Sequence, residues 1–196
     1  MNDRAAAWLD ASLHHRLWFS EHDEHDGASL PFGLCRRGDL TVVHNVSCGA
    51  IDGREVRLFD LDVMTLRDAT PVMGPGPQRM IARMIVESLA DDGTDAHAVT
   101  ESWECAMIRA GAECRRLSVA PEGLLSMLAD VVTFRDQDLE LEAFNRAFEV
   151  RADDRRFASD LLDARMIELL VQHAVGCVME TVGSRILVAR ARPRHA

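Results

Sequence analysis

Apolar residues recur at helical spacing from the start of the chain. Ala6, Leu9, Leu13 and Leu17 share one stripe, and Asn2 or Asp3 stands where an N-cap belongs. The pattern predicts a helix over residues 3–18. Residues 20–29 are polar and acidic without any period, which reads as a loop. From about Leu40 the texture turns to β: Thr41, Val42 and Val43 open a run that continues through Ile51. Asp52-Gly53 is a two-residue hairpin turn, because both residue types tolerate φ > 0. A return strand is expected from Arg54 to about Met64. Its apolar positions shift from even (Val56, Leu58) to odd (Phe59, Leu61, Val63), which a bulge near Leu58-Phe59 or burial on both faces would produce.

Prolines and glycines at 71–77 break the pattern, and a helix is expected over 77–91, with Pro77 in its first turn and Gly93 as its stop. Met80, Ile81, Met84, Ile85 and Leu89 fall on one side of it; Arg79, Arg83 and Glu87 fall on the other. Trp103, Cys105 and Met107 alternate as in a strand, and 116–119 suggests a second short one. Pro121-Glu122-Gly123 opens a short helix carrying Leu124, Leu125 and Leu128. Segments 131–134 and 148–151 read as further strands. Asp153-Asp154 caps a turn or helix through Phe157, Leu161 and Leu162. Asp163 starts another helix with Met166, Ile167, Leu169 and Leu170 as its core face. A hairpin is expected to close the chain: 175–182, a Gly183-Ser184 turn, then 185–191. Strands in hairpins imply an α+β fold, an antiparallel sheet packed against several short helices. The chain reads as a single domain over 1–196, with an N-terminal helix and acidic loop in 1–30.

Composition changes the picture mainly by exclusion. The chain of 196 residues is 47% hydrophobic and can bury a real core. Its net charge of −10 argues against a nucleic-acid footprint and for repulsion from anionic membranes. All 22 basic residues are arginine, and lysine and tyrosine are absent. Schiff-base chemistry, pyridoxal phosphate anchored on lysine, the P-loop lysine and a tyrosine general acid are therefore excluded. The cysteines (Cys35, Cys48, Cys105, Cys114, Cys177) are odd in number and form no CxxC pair, so no zinc ribbon or thioredoxin-type centre is expected. With no signal core and no apolar run of about 20 residues, the expected location is the reducing cytoplasm, with no membrane span.

The second half carries a more particular pattern. Leu139-Glu140-Leu141-Glu142 leads into Phe144-Asn145-Arg146-Ala147-Phe148-Glu149-Val150, then Asp153-Asp154, then Ala164-Arg165-Met166-Ile167-Glu168-Leu169-Leu170. This resembles a family of uncharacterised bacterial proteins with an F-N-x-x-F-x-V…D-D motif, which usually carry membrane helices upstream; those helices are absent here. The family's Thr-Pro is replaced by Asp163-Ala164, and relative to that family 64–102 reads as a helical insertion. The resemblance implies a fold and transfers no activity. The motif residues themselves read as packing (Phe144, Phe148, Val150), a turn former (Asn145) and a helix cap (Asp153 or Asp154).

Candidate chemistry is sparse. His14-His15 with His22, His25 and Asp26 brings imidazoles and carboxylates together, and His22 and His25 suit a shared transition metal, but their spacing matches no standard site and a solvated loop is the simpler expectation. Gly74-Pro75-Gly76 lacks the backbone donors of a phosphate loop. His44 and Cys48, four apart on a strand, would face the same side about 13 Å apart, too far for a dyad. His97 and His173 show no partners. The basic tail Arg190, Arg192, Arg194 reads as a frayed end. These residues point to no catalytic site and no cofactor. The expected function is a non-enzymatic binding or regulatory module of unknown partner. The alternatives are a metal-binding protein or metal-dependent enzyme using residues 14–26, and a self-associating scaffold. A protein partner or a second copy would dock through the 77–91 helix.

Overall fold

A computed structural model describes residues 2–23, 29–66, 98–124 and 142–193. The elements run α1 (Asp3–His14), β1 (Trp18–His22), α2 (Gly33–Arg36), β2 (Leu40–Ile51), β3 (Arg54–Leu66), β4 (Ala98–Ala120), α3 (Glu142–Ala147), β5 (Glu149–Ala152), α4 (Arg155–Leu161), α5 (Ala164–His173) and β6 (Cys177–Ala191). Every strand pairing among the described residues is antiparallel, and the fold is the expected α+β sheet with short helices. The strand order is β1-β2-β3-β4, with β6 on the other side of β4. β4 is long enough to hold β3 along its first half and β5 at its end. The expected helix 77–91 and strand 131–134 lie outside the described residues.

Local chemistry places many boundaries. Asn2, Asp154 and Asp163 cap α1, α4 and α5, each accepting from backbone N–H groups of the first turn. Asp52 and Gly53 take φ of 51° and 74°, the left-handed pair that a tight hairpin between β2 and β3 demands.

Other expectations are corrected by pairing. The first helix ends at His14, not residue 18. Arg16 turns left-handed (φ 57°), the Arg16 and Leu17 N–H groups bond back to Leu13 and Ser12, and the chain re-enters as edge strand β1. Leu13 is consequently 67% exposed, and the buried α1 positions are Ala5 and Ser12. Residues 20–22 belong to β1 rather than to a loop. The two strands expected between 103 and 119 are one, because β6 pairs along β4 from Trp103 to Val119. The closing hairpin is likewise one strand: Gly183 (φ 57°) sits where the β4–β6 register shifts, so it absorbs an irregularity instead of turning the chain. In β3 the shift of apolar parity reflects burial on both faces. The bulge lies on β2, between His44 and Ser47.

The sheet therefore has two different faces. One carries Val43, Phe59, Leu61, Val63, Trp103, Cys105, Leu187 and Ala189, and α2 covers it with Leu34 and Cys35. On the other face, α3–α5 pack Phe144, Phe148, Ala158, Leu162, Ile167 and Leu170 against Leu117, Val119 and Met179. Leu169, expected in the core face of α5, is 49% exposed, because Ile167 and Leu170 already point at the sheet. Phe144 and Phe148 stack at 5.1 Å, so the aromatic motif of the second half serves packing.

Candidate functional site

The strands concentrate charge at two places. The first lies beneath α1. Asp60, Asp62 and Glu104 fall on the α1 face because β3 and β4 alternate in register, Asp60 opposite Glu104 and Asp62 opposite Ser102. Asp60 is wholly buried. Its Oδ2 accepts from Arg4 Nε at 2.6 Å, Trp8 Nε1 at 3.1 Å and Asn45 Nδ2 at 2.8 Å, and its Oδ1 from Arg4 Nη2 at 2.5 Å. Arg4 also reaches Glu104 at 3.0 Å. The bond to Asp60, with smaller help from Glu104, raises the Arg4 pKa further above its already high value. The bulge at Asn45 (φ 52°) is what aims its amide at Asp60.

Next to it, Asp62 accepts from His44 Nε2 at 2.8 Å and Arg192 Nη2 at 2.9 Å. Burial alone pushes the Asp62 carboxyl up, but bonds from His44 and Ser102 and the charge of Arg192 outweigh it and hold it below the usual carboxylate value. Arg192, expected in a frayed tail, is thus anchored, and its backbone N–H bonds Ser102. Each charge in this cluster is answered by another, which is the chemistry of a clamp.

On the opposite face, Glu180 accepts from the Gly33 and Leu34 N–H groups and holds α2; burial pushes its carboxyl up. Burial likewise pushes the thiol of neighbouring Cys35 up to about 12, so it is unreactive.

The second charged place is a groove of about 610 Å³ on this α2-bearing face, at the hairpin end of the sheet. Cross-strand pairing lays it out in rows. Arg57 lies between Cys48 and Met107, with Leu187 beyond; one row outward, Arg109 lies directly opposite Arg185. Glu55 reaches Arg109 at 3.1 Å and Asp23 pairs with Arg57, whose guanidinium rests 5.6 Å from the Phe59 ring. Among the described residues Arg185 has no ion pair, and the buried Nε of Arg57 has no hydrogen-bond partner. Ser184 lines the same rim.

The residues singled out from sequence mostly do not meet. His14 stacks edge-on against His15 at the end of α1, while His22 stands opposite His44 in the β1–β2 pairing. His25 and Asp26 lie outside the described residues. Among the described residues, no group of three or more potential metal ligands forms. His44 and Cys48 are on opposite faces, not the same one, because the intervening bulge inverts the alternation. Sequence reading missed Asp60 and the arginine rows. The Asp60-Leu61-Asp62 alternation signalled carboxylates on one sheet face, but nothing local showed that face was covered.

No protein-family profile matches the chain. No curated protein matches it either. Among solved structures it is similar to the crystal structure of the mycobacterial trehalose monomycolate transport factor A, TtfA. The match has a TM-score of 0.55 and 15% identity, and covers 95% of this chain and 79% of that one. At this identity the likeness is one of fold. No helix among the described residues is long and apolar enough to cross a membrane.

Proposed function

We propose that this protein is a non-enzymatic binding module of the cytoplasm whose working surface is the arginine-lined groove at the hairpin end of the sheet. The observation that carries the reading is the direct cross-strand pairing of Arg109 with Arg185. Like charges opposite each other on a strand pair destabilise it, so this row is better satisfied with an anion present, and in a chain of net charge −10 it stands out. The charges under α1 are spent on each other and leave that end a structural role. Five free cysteines favour a reducing compartment. The fold neighbour is named as a transport factor.

The test uses the full chain purified from its own host. The wild type is expected to retain a bound species, protein or small molecule, that the Arg109→Glu/Arg185→Glu variant loses while keeping its circular dichroism. Retention of that species by the variant would remove the groove as the working surface. Conversion of it by the wild type would remove the non-enzymatic reading.

A further inference from the structure

The groove changes character along its length. Beneath its inner end lies the buried core row of Phe59, Cys105 and Ala189, which does not line it. The next row outward sets half-buried Cys48 and Met107 on either side of Arg57. The outermost row presents Arg109 and Arg185 with Ser184 at the rim. Successive rows on one face lie about 7 Å apart, twice the rise per residue of a strand. Over about 7 Å the surface therefore passes from half-buried Cys48 and Met107 to exposed Arg109 and Arg185. Its volume of about 610 Å³ falls within the range of small-molecule sites, roughly 300–1,000 Å³.

The geometry points to this groove as the binding site for an amphiphile: an apolar body over Met107 and Cys48, ending in a phosphate or carboxylate held by Arg109, Arg185 and Ser184. This rests on the groove being the working surface. Two guanidinium groups on adjacent strands suit an oxyanion, which accepts from both at once. The anion also neutralises a repulsion that Glu55, engaged with Arg109 from the far side, leaves uncorrected at Arg185. Arg57 stands at the join of the two zones, its guanidinium held by Asp23 and its Nε buried.

Calorimetric titration of the full chain with decyl phosphate, decanoate, inorganic phosphate and a neutral decyl glycoside, all below their micellar concentrations, tests this. Decyl phosphate or decanoate is expected to bind at least tenfold more tightly than inorganic phosphate or the neutral glycoside. Arg109→Glu/Arg185→Glu is expected to weaken that binding at least tenfold at unchanged melting temperature. If the double variant does not fold, Arg185→Gln at the exposed rim is expected to weaken it about threefold or more. Inorganic phosphate binding as tightly as decyl phosphate would overturn the amphiphile in favour of a free anion. Equal binding of the neutral glycoside, or arginine variants with unchanged affinity, would overturn the head-group site. If none of the four binds while the wild type still retains a host species that the double variant loses, the amphiphile is overturned and the groove reading stands.

Discussion

At one end of the sheet's helical face a single helix, α1, is held down by a carboxylate; at the other end α3–α5 are held down by aromatic and aliphatic side chains. Both layers cover the same face of the same sheet, yet α1 buries only Ala5 and Ser12 of its own residues, and Ser12 Oγ meets Ser47 Oγ at 2.5 Å. Its attachment runs through Arg4 and Trp8 to Asp60. The other layer buries Phe144, Phe148, Leu162, Ile167 and Leu170 in one continuous cluster. Apolar burial is non-directional and tolerates small shifts. A buried charge is costly unless every partner is in place, so the clamp sets the register of α1 more strictly than greasy contact would, at the expense of fragility.

The largest test of that contrast is Asp60→Ala. It orphans Arg4 Nε and Trp8 Nε1, takes the Asn45 amide's carboxylate away and leaves Arg4 only Glu104, and removing one partner of a buried ion pair typically costs about 3–5 kcal/mol. Chemical denaturation should show that loss, and hydrogen exchange should show α1 opening while α5 stays protected. A cost below about 1 kcal/mol would mean that α1 is held by its few apolar contacts after all.

Phe148→Ala probes the opposite end. Phe148 sits at the margin of its cluster, so the expected cost is about 3 kcal/mol, the lower end for aromatic truncation in a core. Hydrogen exchange should now loosen α3–α5 and spare α1. Loss of protection at both ends together would show that the two layers unfold as one unit.

The smallest effect is one of pH. The Asp62 carboxyl is depressed in the folded state, so its contribution is present above the unfolded value and is lost as pH falls through the folded one. Below about pH 4 the part of the sheet that Asp62 ties to His44 and Arg192 should therefore weaken before the α3–α5 end. Asp62→Asn should remove that difference, at a cost at neutral pH under about 1 kcal/mol, as suits a partly exposed pair. Parallel acid melts of wild type and variant, followed by exchange at β2 around His44 and at α5, would reveal it. Identical acid responses at the two ends would erase the distinction.

How much of this was legible in the chain follows from the range of each interaction. Asp52-Gly53 gave away its hairpin, and Asn2, Asp154 and Asp163 their helices, because the turn and the caps are satisfied by backbone groups two or three residues away. Phe144 and Phe148 declared their packing because four-residue spacing brings them together on one helical turn. The α+β class followed from strands in hairpins. What the chain alone did not decide depended on partners far along it. Residues 18–22 carry no strand period of their own and become β1 only by pairing with β2. Gly183 is an irregularity rather than a turn because β4 runs beside it. The bulge at Asn45 sets His44 and Cys48 on opposite faces and so separates the clamp from the groove. Asp60 meets Arg4 across 56 positions and Arg109 faces Arg185 across the sheet, since a side chain's environment is assembled from whichever strands and helices come to lie beside it.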